Sequence, residues 1–425
     1  SQFLADILVN NPGMIDELLD SLVLNRPRTA DELRAELAAL CANAADVGPI
    51  LHSFQDKELL RIGVADLLGK TPEAATAAAL SDLAETLLGQ IAALEAAAVA
   101  AKYGEPRLAD GRPCRWAVLA LGKLGGRELS YHSDLDLVLV YEGEAGDGLQ
   151  VATGGWEGEA PAEPRAPGSA GASPSRPQLD QVDNRQFFSD LARRVIRTVG
   201  GHGPMGRLYA VDMRLRPTGG SGSLAVALAE FDRYYAGGGA QVWERQALTK
   251  ARAVVGEPAF RAAVEAAARR AAYGQACGPQ LVDEVRAMRE RMEAGHPRDL
   301  KRGAGGLVDV EFVVQMLQLR HAAGRPALQP PNTRDALTAL HAAGLLTDAE
   351  HADLRAGYDF LRLAEGRLRG VTNRASDELP DDPAGLAKLA RRLGYEAAEW
   401  FVADLAAHTG RVRAAFAAVC GRERG

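Results

Sequence analysis

The stretch LGKLGGRELSYHSDLDL, residues 121–137, decides how this chain is read. It follows a short apolar run, Trp116 to Leu121, passes through Gly122, Gly125 and Gly126, and enters a second apolar run, Leu135 to Tyr141, marked at its start by Asp134 and Asp136. Short apolar runs bounded by glycine are the pattern of buried strands. Strand side chains repeat every two residues, so Asp134 and Asp136 project from one face. Two carboxylates forced together repel unless a cation lies between them, and hard oxygen donors suit magnesium or manganese. Taken alone, a D-x-D is more often explained by a solvated polar edge. The glycines add a second element, because a backbone without Cβ atoms comes close to a ligand and offers its N–H groups to phosphate.

A third element lies downstream. From Tyr209 to Arg216 the sequence alternates, with Val211, Met213 and Leu215 on one face and Asp212, Arg214 and Arg216 on the other, which predicts a third strand. Asp212 is then a candidate third carboxylate for a two-metal site, able to bind the catalytic ion and to assist in deprotonating an attacking hydroxyl. Arg214 and Arg216 are candidates for holding phosphate oxygens.

Around this centre the chain is helical. Residues 1–102 carry helical spacing at Ile15, Leu18, Leu19 and Leu22, again at Leu60, Val64, Leu67 and Leu68, and form an Ala- and Leu-rich stretch from Leu83 to Ala101. Residues 103–256 hold the expected strands, interrupted by an insertion, 143–178, rich in Gly, Ala, Pro and Ser. That insertion cannot fill a core and is expected to be disordered. Residues 257–425 read as a C-terminal helical bundle. The expected fold class is therefore α+β and mostly helical, a small mixed sheet flanked by two helical regions.

Composition narrows the function. A net charge of -7 over 425 residues disfavours a general nucleic-acid binder. The cysteines, Cys41, Cys114, Cys277 and Cys420, have no metal-ligand spacing and read as reduced cytosolic thiols. No uninterrupted run of 18 apolar residues exists and the opening residues lack the basic segment of a signal peptide, so the expected location is the cytoplasm, with no membrane partner. The first residue, Ser1, is read as the start of a fragment of something longer.

The three elements, in this order, resemble the polymerase-beta-like nucleotidyltransferases. LGKLGGRELSYHSDLDLVLVY closely resembles the signature of the glutamine synthetase adenylyltransferase family, and the resemblance continues through VDMRLRPTGGSGSLAV (211–226), VWERQALTKARAVVG (242–256), EVRAMRERM (284–292) and KRGAGGLVDVEFVVQMLQL (301–319). NNPGMIDELLDSL (10–22) resembles the helices that precede this domain. WERQALTKARAV, EVRAMRERM and LQPPNTRDALTALHAAGLL (328–346) are similar to the C-terminal, adenylylating copy of a two-copy enzyme.

The resemblance implies a polymerase-beta-like fold for the sheet, metal ligands at Asp134, Asp136 and Asp212, and nucleotide phosphate near Gly122, Lys123, Gly125, Gly126 and Ser133. It implies Mg2+ and ATP, AMP transfer to a tyrosine of glutamine synthetase with release of pyrophosphate, and regulation by a PII signalling protein. Two other readings stand beside it: phosphorolytic removal of AMP on the same site, and a non-catalytic nucleotide-binding regulatory module. Lys250 and Arg252, read as lying on an amphipathic helix, and Lys301, Asp309 and Glu311 match family motifs without a role that the sequence supplies.

Overall fold

The computed structural model describes residues 2–15, 28–143 and 182–425, apart from 204, 276 and 373. Leu18, Leu19 and Leu22 and nearly all of the 143–178 insertion lie outside the described residues.

The chain opens with four helices, α1 (Gln2–Asn10), α2 (Ala30–Cys41), α3 (Gly48–Leu67) and α4 (Glu73–Tyr103). Helix α2 starts at a capping box in which Thr29 and Glu32 satisfy each other's backbone N–H groups. Helix α3 turns Leu51, Phe54 and Ile62 inward and leaves Leu67 and Leu68 exposed at its end, so the apolar spacing read over 60–68 marks only part of the buried face. Helix α4 has the length and apolar character of a membrane span, yet half of its most apolar window is buried inside this fold, where it packs on α2, α3 and a later helix.

The sheet follows. Strand β1 (Trp116–Ala120) leads through a single helical turn, α5 (Gly122–Gly125), to β2 (Leu135–Tyr141). Helix α6 (Asn184–Gly200) packs on α4 and precedes β3 (Val211–Asp212) and β4 (Ala225–Ala227). Helices α7 (Leu228–Ala236) and α8 (Val242–Leu248) lead to β5 (Arg252–Gly256). Strand β1 is central and runs antiparallel to β2 and β5. The outer edge of β2 is shared, its first residues pairing in parallel with β3 and its last with β4.

Seven helices complete the described chain: α9 (Pro258–Tyr273), α10 (Gln280–Glu293), α11 (Leu307–His321), α12 (Thr333–Ala342), α13 (Asp348–Thr372), α14 (Pro383–Arg392) and α15 (Ala398–Arg424). The fold is α+β and mostly helical, as the sequence leads one to expect.

The strand period divides the interior in two. Ala117, Leu119, Val138 and Val140 join the core built with α9 to α15, whereas Val118, Ala120, Leu137 and Leu139 join the core built with α2, α3, α4 and α6. Burial of these aliphatic side chains, at roughly 25 cal/mol per Å², holds helices to both faces. Asp134 and Asp136 have the parity of Val138, so they face the side covered by the C-terminal helices.

Two secondary-structure expectations need correction. The strand expected over 209–216 ends at Asp212 and turns, because the Arg216 side chain folds inward and donates to the carbonyl oxygens of Met213, Gly222 and Ser223. The helix expected to carry Lys250 and Arg252 ends at Leu248, and Arg252 opens β5, opposite Ala120.

Candidate functional site

Parallel pairing of β2 with β3 sets Leu135 against Val211 and Asp136 against Asp212. Asp134 stands one strand period before Asp136. One oxygen from each of the three carboxylates lies within 4.8 Å of the others, and Asp134 is exposed while Asp136 and Asp212 are half-buried. Burial and then the charges of Asp134 and Asp212 push Asp136 up to about 7. Asp212 is held below the ordinary carboxylate range by the hydrogen bonds of Arg214, whose Nε lies 2.9 Å from Oδ2 and whose N–H donates to Oδ1 at 2.8 Å. Crowded acids of this kind fit a divalent cation, which offsets their repulsion and takes hard oxygen ligands; among the described residues this is the single such cluster.

Gly122 is part of the same centre. Its φ is +52°, and a Cβ there would come 2.1 Å from Asp136 Oδ2, so only glycine lets the end of β1 sit against that carboxylate. Gly125 and Gly126 are not brought to the carboxylates. Their N–H groups donate to Leu121 and Gly122 within the turn, and the space a Cβ would need is taken by the Lys250 carbonyl at Gly125 and by Glu128 at Gly126. These two glycines allow close packing of the turn on its neighbours.

The basic residues divide similarly. Arg214 is exposed beside Asp212, whereas the Arg216 guanidinium is buried and consumed by carbonyl oxygens. Lys123 is ion-paired with Glu365 of α13. Burial, together with the nearby Arg369, Arg362 and Lys301 charges, brings Lys123 down to about 8 although Glu365 opposes this. Ser133 is buried, its Oγ accepting from the Ser130 N–H at 3.1 Å and from Arg369 at 3.3 Å. It braces the turn just before Asp134.

The motif residues without a sequence-level role now have surroundings. Lys250 is buried between Glu128, at 2.7 Å, and Glu311, at 3.1 Å. Arg252 donates to the carbonyls of Leu124 and Gly125, closing the end of α5. Asp309 receives Arg289 at 2.7 Å in a fully buried pair. Lys301, in the loop before α11, is close enough for its charge to oppose the rise at Asp136. Sequence reasoning missed Arg362, Glu365 and Arg369. Their signal was present, since they recur at helical spacing among Leu361, Ala364 and Leu368, where charge is unexpected on a buried face.

The chain matches the family model described as Glutamate-ammonia ligase adenylyltransferase over residues 1–158 and 171–267, which includes every element of the carboxylate centre. It belongs to that family. A second model, GlnD PII-uridylyltransferase, matches residues 280–420. Among curated relatives, the bifunctional glutamine synthetase adenylyltransferase/adenylyl-removing enzyme of Thioalkalivibrio sulfidiphilus is 33% identical over 436 residues, covering 100% of this chain and 42% of the relative. Its namesake in Streptomyces coelicolor is 35% identical, covering 93% of this chain and 36% of the relative. The namesake in Pseudomonas aeruginosa is 30% identical, covering 94% and 38%. The chain thus spans about two fifths of the length of the curated relatives it matches.

Proposed function

We propose that this chain of the adenylyltransferase family transfers AMP from ATP to a tyrosine of glutamine synthetase and releases pyrophosphate. The observation that supports this best is the meeting of Asp134, Asp136 and Asp212 beside Gly122. The three carboxylates are the residues that would hold Mg2+. Bound there, the ion would neutralise charge developing on the transferred phosphoryl group and on the leaving pyrophosphate.

The chain's own residues supply the remaining parts of the reading. Gly122 lets the backbone at the end of β1 lie against the Asp136 carboxylate. Arg214 is exposed and can swing from Asp212 to a phosphate oxygen, and Lys301 approaches the same carboxylates from the loop before α11. Asp212, brought beside Asp136 by the neighbouring strand β3, accepts the proton of the tyrosine hydroxyl at Oδ1 or Oδ2 as the oxygen attacks the α-phosphorus in line. Lys123, Ser133, Gly125 and Gly126 support the phosphate-facing turn from behind. The match of residues 280–420 to a PII-uridylyltransferase model favours a PII signalling protein as a partner of the C-terminal helices.

The test is transfer of label from α-labelled ATP to glutamine synthetase in the presence of Mg2+, with pyrophosphate followed in parallel. Transfer by the chain that is absent in Asp134→Asn supports the proposal. The relatives' names also include adenylyl removal. Phosphate-dependent release of ADP from pre-adenylylated synthetase, without transfer, would assign that activity instead.

A further inference from the structure

Helix α13 carries Arg362, Glu365 and Arg369 on one stripe, and all three are buried. A buried charge is tolerated where partners replace its hydration, and most of these partners lie on the turn that joins β1 to β2. Arg362 donates to the carbonyl oxygens of Glu128 and Leu129 at 2.6 and 3.3 Å. Glu365 is paired with Lys123. Arg369 donates to the carbonyl of Tyr131 at 3.0 Å and to Ser133 Oγ at 3.3 Å. The stripe is closed on itself, with Glu365 2.8 Å from Arg362 and 3.3 Å from Arg369, and Glu73 and Asp377 complete the charge balance.

The attachment points are informative. Lys123 follows Gly122, whose backbone abuts Asp136, and Ser133 precedes Asp134. One helix therefore holds both ends of the turn that places two of the three carboxylates. On the other side Leu129 and Tyr131 pack into the N-terminal core, the Leu129 N–H donating to Ser81 and the Tyr131 hydroxyl to Asp66, while residues 129–133 also border a cavity of about 470 Å³ lined by His52, Gln55, Arg207 and Arg374. Stability alone does not call for charges at these positions, because a buried ion cluster is seldom more stable than apolar side chains of similar volume. Directional hydrogen bonds to four backbone or side-chain oxygens do something apolar packing cannot: they specify one orientation of the turn.

We propose that Arg362, Glu365 and Arg369 are positioning residues for nucleotidyl transfer, with α13 clamping the turn so that Asp134 and Asp136 meet Asp212. This rests on the reading of the carboxylates as the catalytic centre. Residues that orient metal ligands from behind typically influence metal affinity or activity by about 10–100-fold.

The experiment compares the intact chain with Arg369→Met, Arg369→Lys and Asp136→Asn, measuring kcat and KM for label transfer, Mn2+ affinity by water-proton relaxation, and thermal unfolding. Arg369→Met is expected to lower kcat and Mn2+ affinity about 10–100-fold with unfolding near that of the parent and KM for ATP little changed. Arg369→Lys, which keeps one donor, is expected to recover part of both losses and covers the case in which the methionine variant does not fold. Parent-like kcat and Mn2+ affinity in folded Arg369→Met, or in folded Arg369→Lys where the methionine variant does not fold, would overturn the proposal and leave α13 a packing element. Parent-like transfer and Mn2+ binding in Asp136→Asn would instead remove the catalytic reading, and this proposal with it.

Discussion

Asp136 and Asp212 are register partners across the parallel pairing of β2 with β3, so the backbone ladder itself holds two acids of the cluster at neighbouring positions. Removing either acid should leave the ladder intact. Asp212→Asn is expected to lower kcat by about 10²–10⁴-fold, the range of a general base, with an unchanged circular dichroism spectrum. Near-parent turnover would exclude Asp212 as the proton acceptor.

The same cluster gives the metal-free chain a pH-dependent stability. Asp136 titrates near 7 because of burial and the charges of Asp134 and Asp212. Its folded value exceeds its unfolded one, so protonated Asp136 favours the fold, fully below about pH 4 and progressively less as pH rises through 7. In EDTA the melting temperature should therefore fall between about pH 4 and pH 7. Asp136→Asn should flatten that fall, and Mg2+ should reverse it at the upper end. An unfolding temperature indifferent to Mg2+ at pH 8 would argue against a cation site.

Gly122 should tolerate no side chain. Gly122→Ala combines a left-handed φ, which costs roughly 1–2 kcal/mol, with a Cβ placed 2.1 Å from Asp136 Oδ2. A modest loss in chemical denaturation, accompanied by a much larger loss of transfer, is the expected pair of results. Equal activity in the alanine variant would mean that the end of β1 does not need its close approach.

Arg214 and Arg216, two residues apart, should behave in opposite ways. Arg214 is exposed, and Arg214→Ala should raise KM for ATP without moving the melting temperature. Arg216 is buried on carbonyl oxygens, and Arg216→Ala should cost about 1–3 kcal/mol for each acceptor left unsatisfied, measured by denaturant titration.

Lys250 is a structural charge. Lys250→Met strands Glu128 and Glu311, and loss of one member of a buried pair costs about 3–5 kcal/mol. Adding Glu128→Gln should recover part of that loss. A recovery of zero would show that the two residues are energetically independent.

The sequence carried the strands that are written locally. Trp116 to Ala120 and Leu135 to Tyr141 declare themselves by continuous apolar character, and the D-x-D period states the facing of Asp134 and Asp136. The third strand was overextended because Arg216 obeys the alternation while its guanidinium is drawn inward by carbonyls that no local pattern reveals. Strand β5 was hidden by a helical reading that ran on to Arg252, although the adjacent Val254 and Val255 before Gly256 were a β-branched cue. The partners of Lys123 and Lys250 lie 242 and 122 residues away in sequence, beyond the reach of any periodicity.

The two-sided sheet also constrains how this molecule can change over generations. Leu139 and Val140 are adjacent in sequence but belong to separate cores. Their side chains point to opposite faces of the sheet, so a volume change at Leu139 calls for compensation among the N-terminal helices, and one at Val140 among the C-terminal helices. Each half can thus drift on its own timetable. The carboxylate end has no such freedom, since Gly122, Asp136 and Asp212 answer to one another directly, and substitutions accepted there must arrive together or not at all.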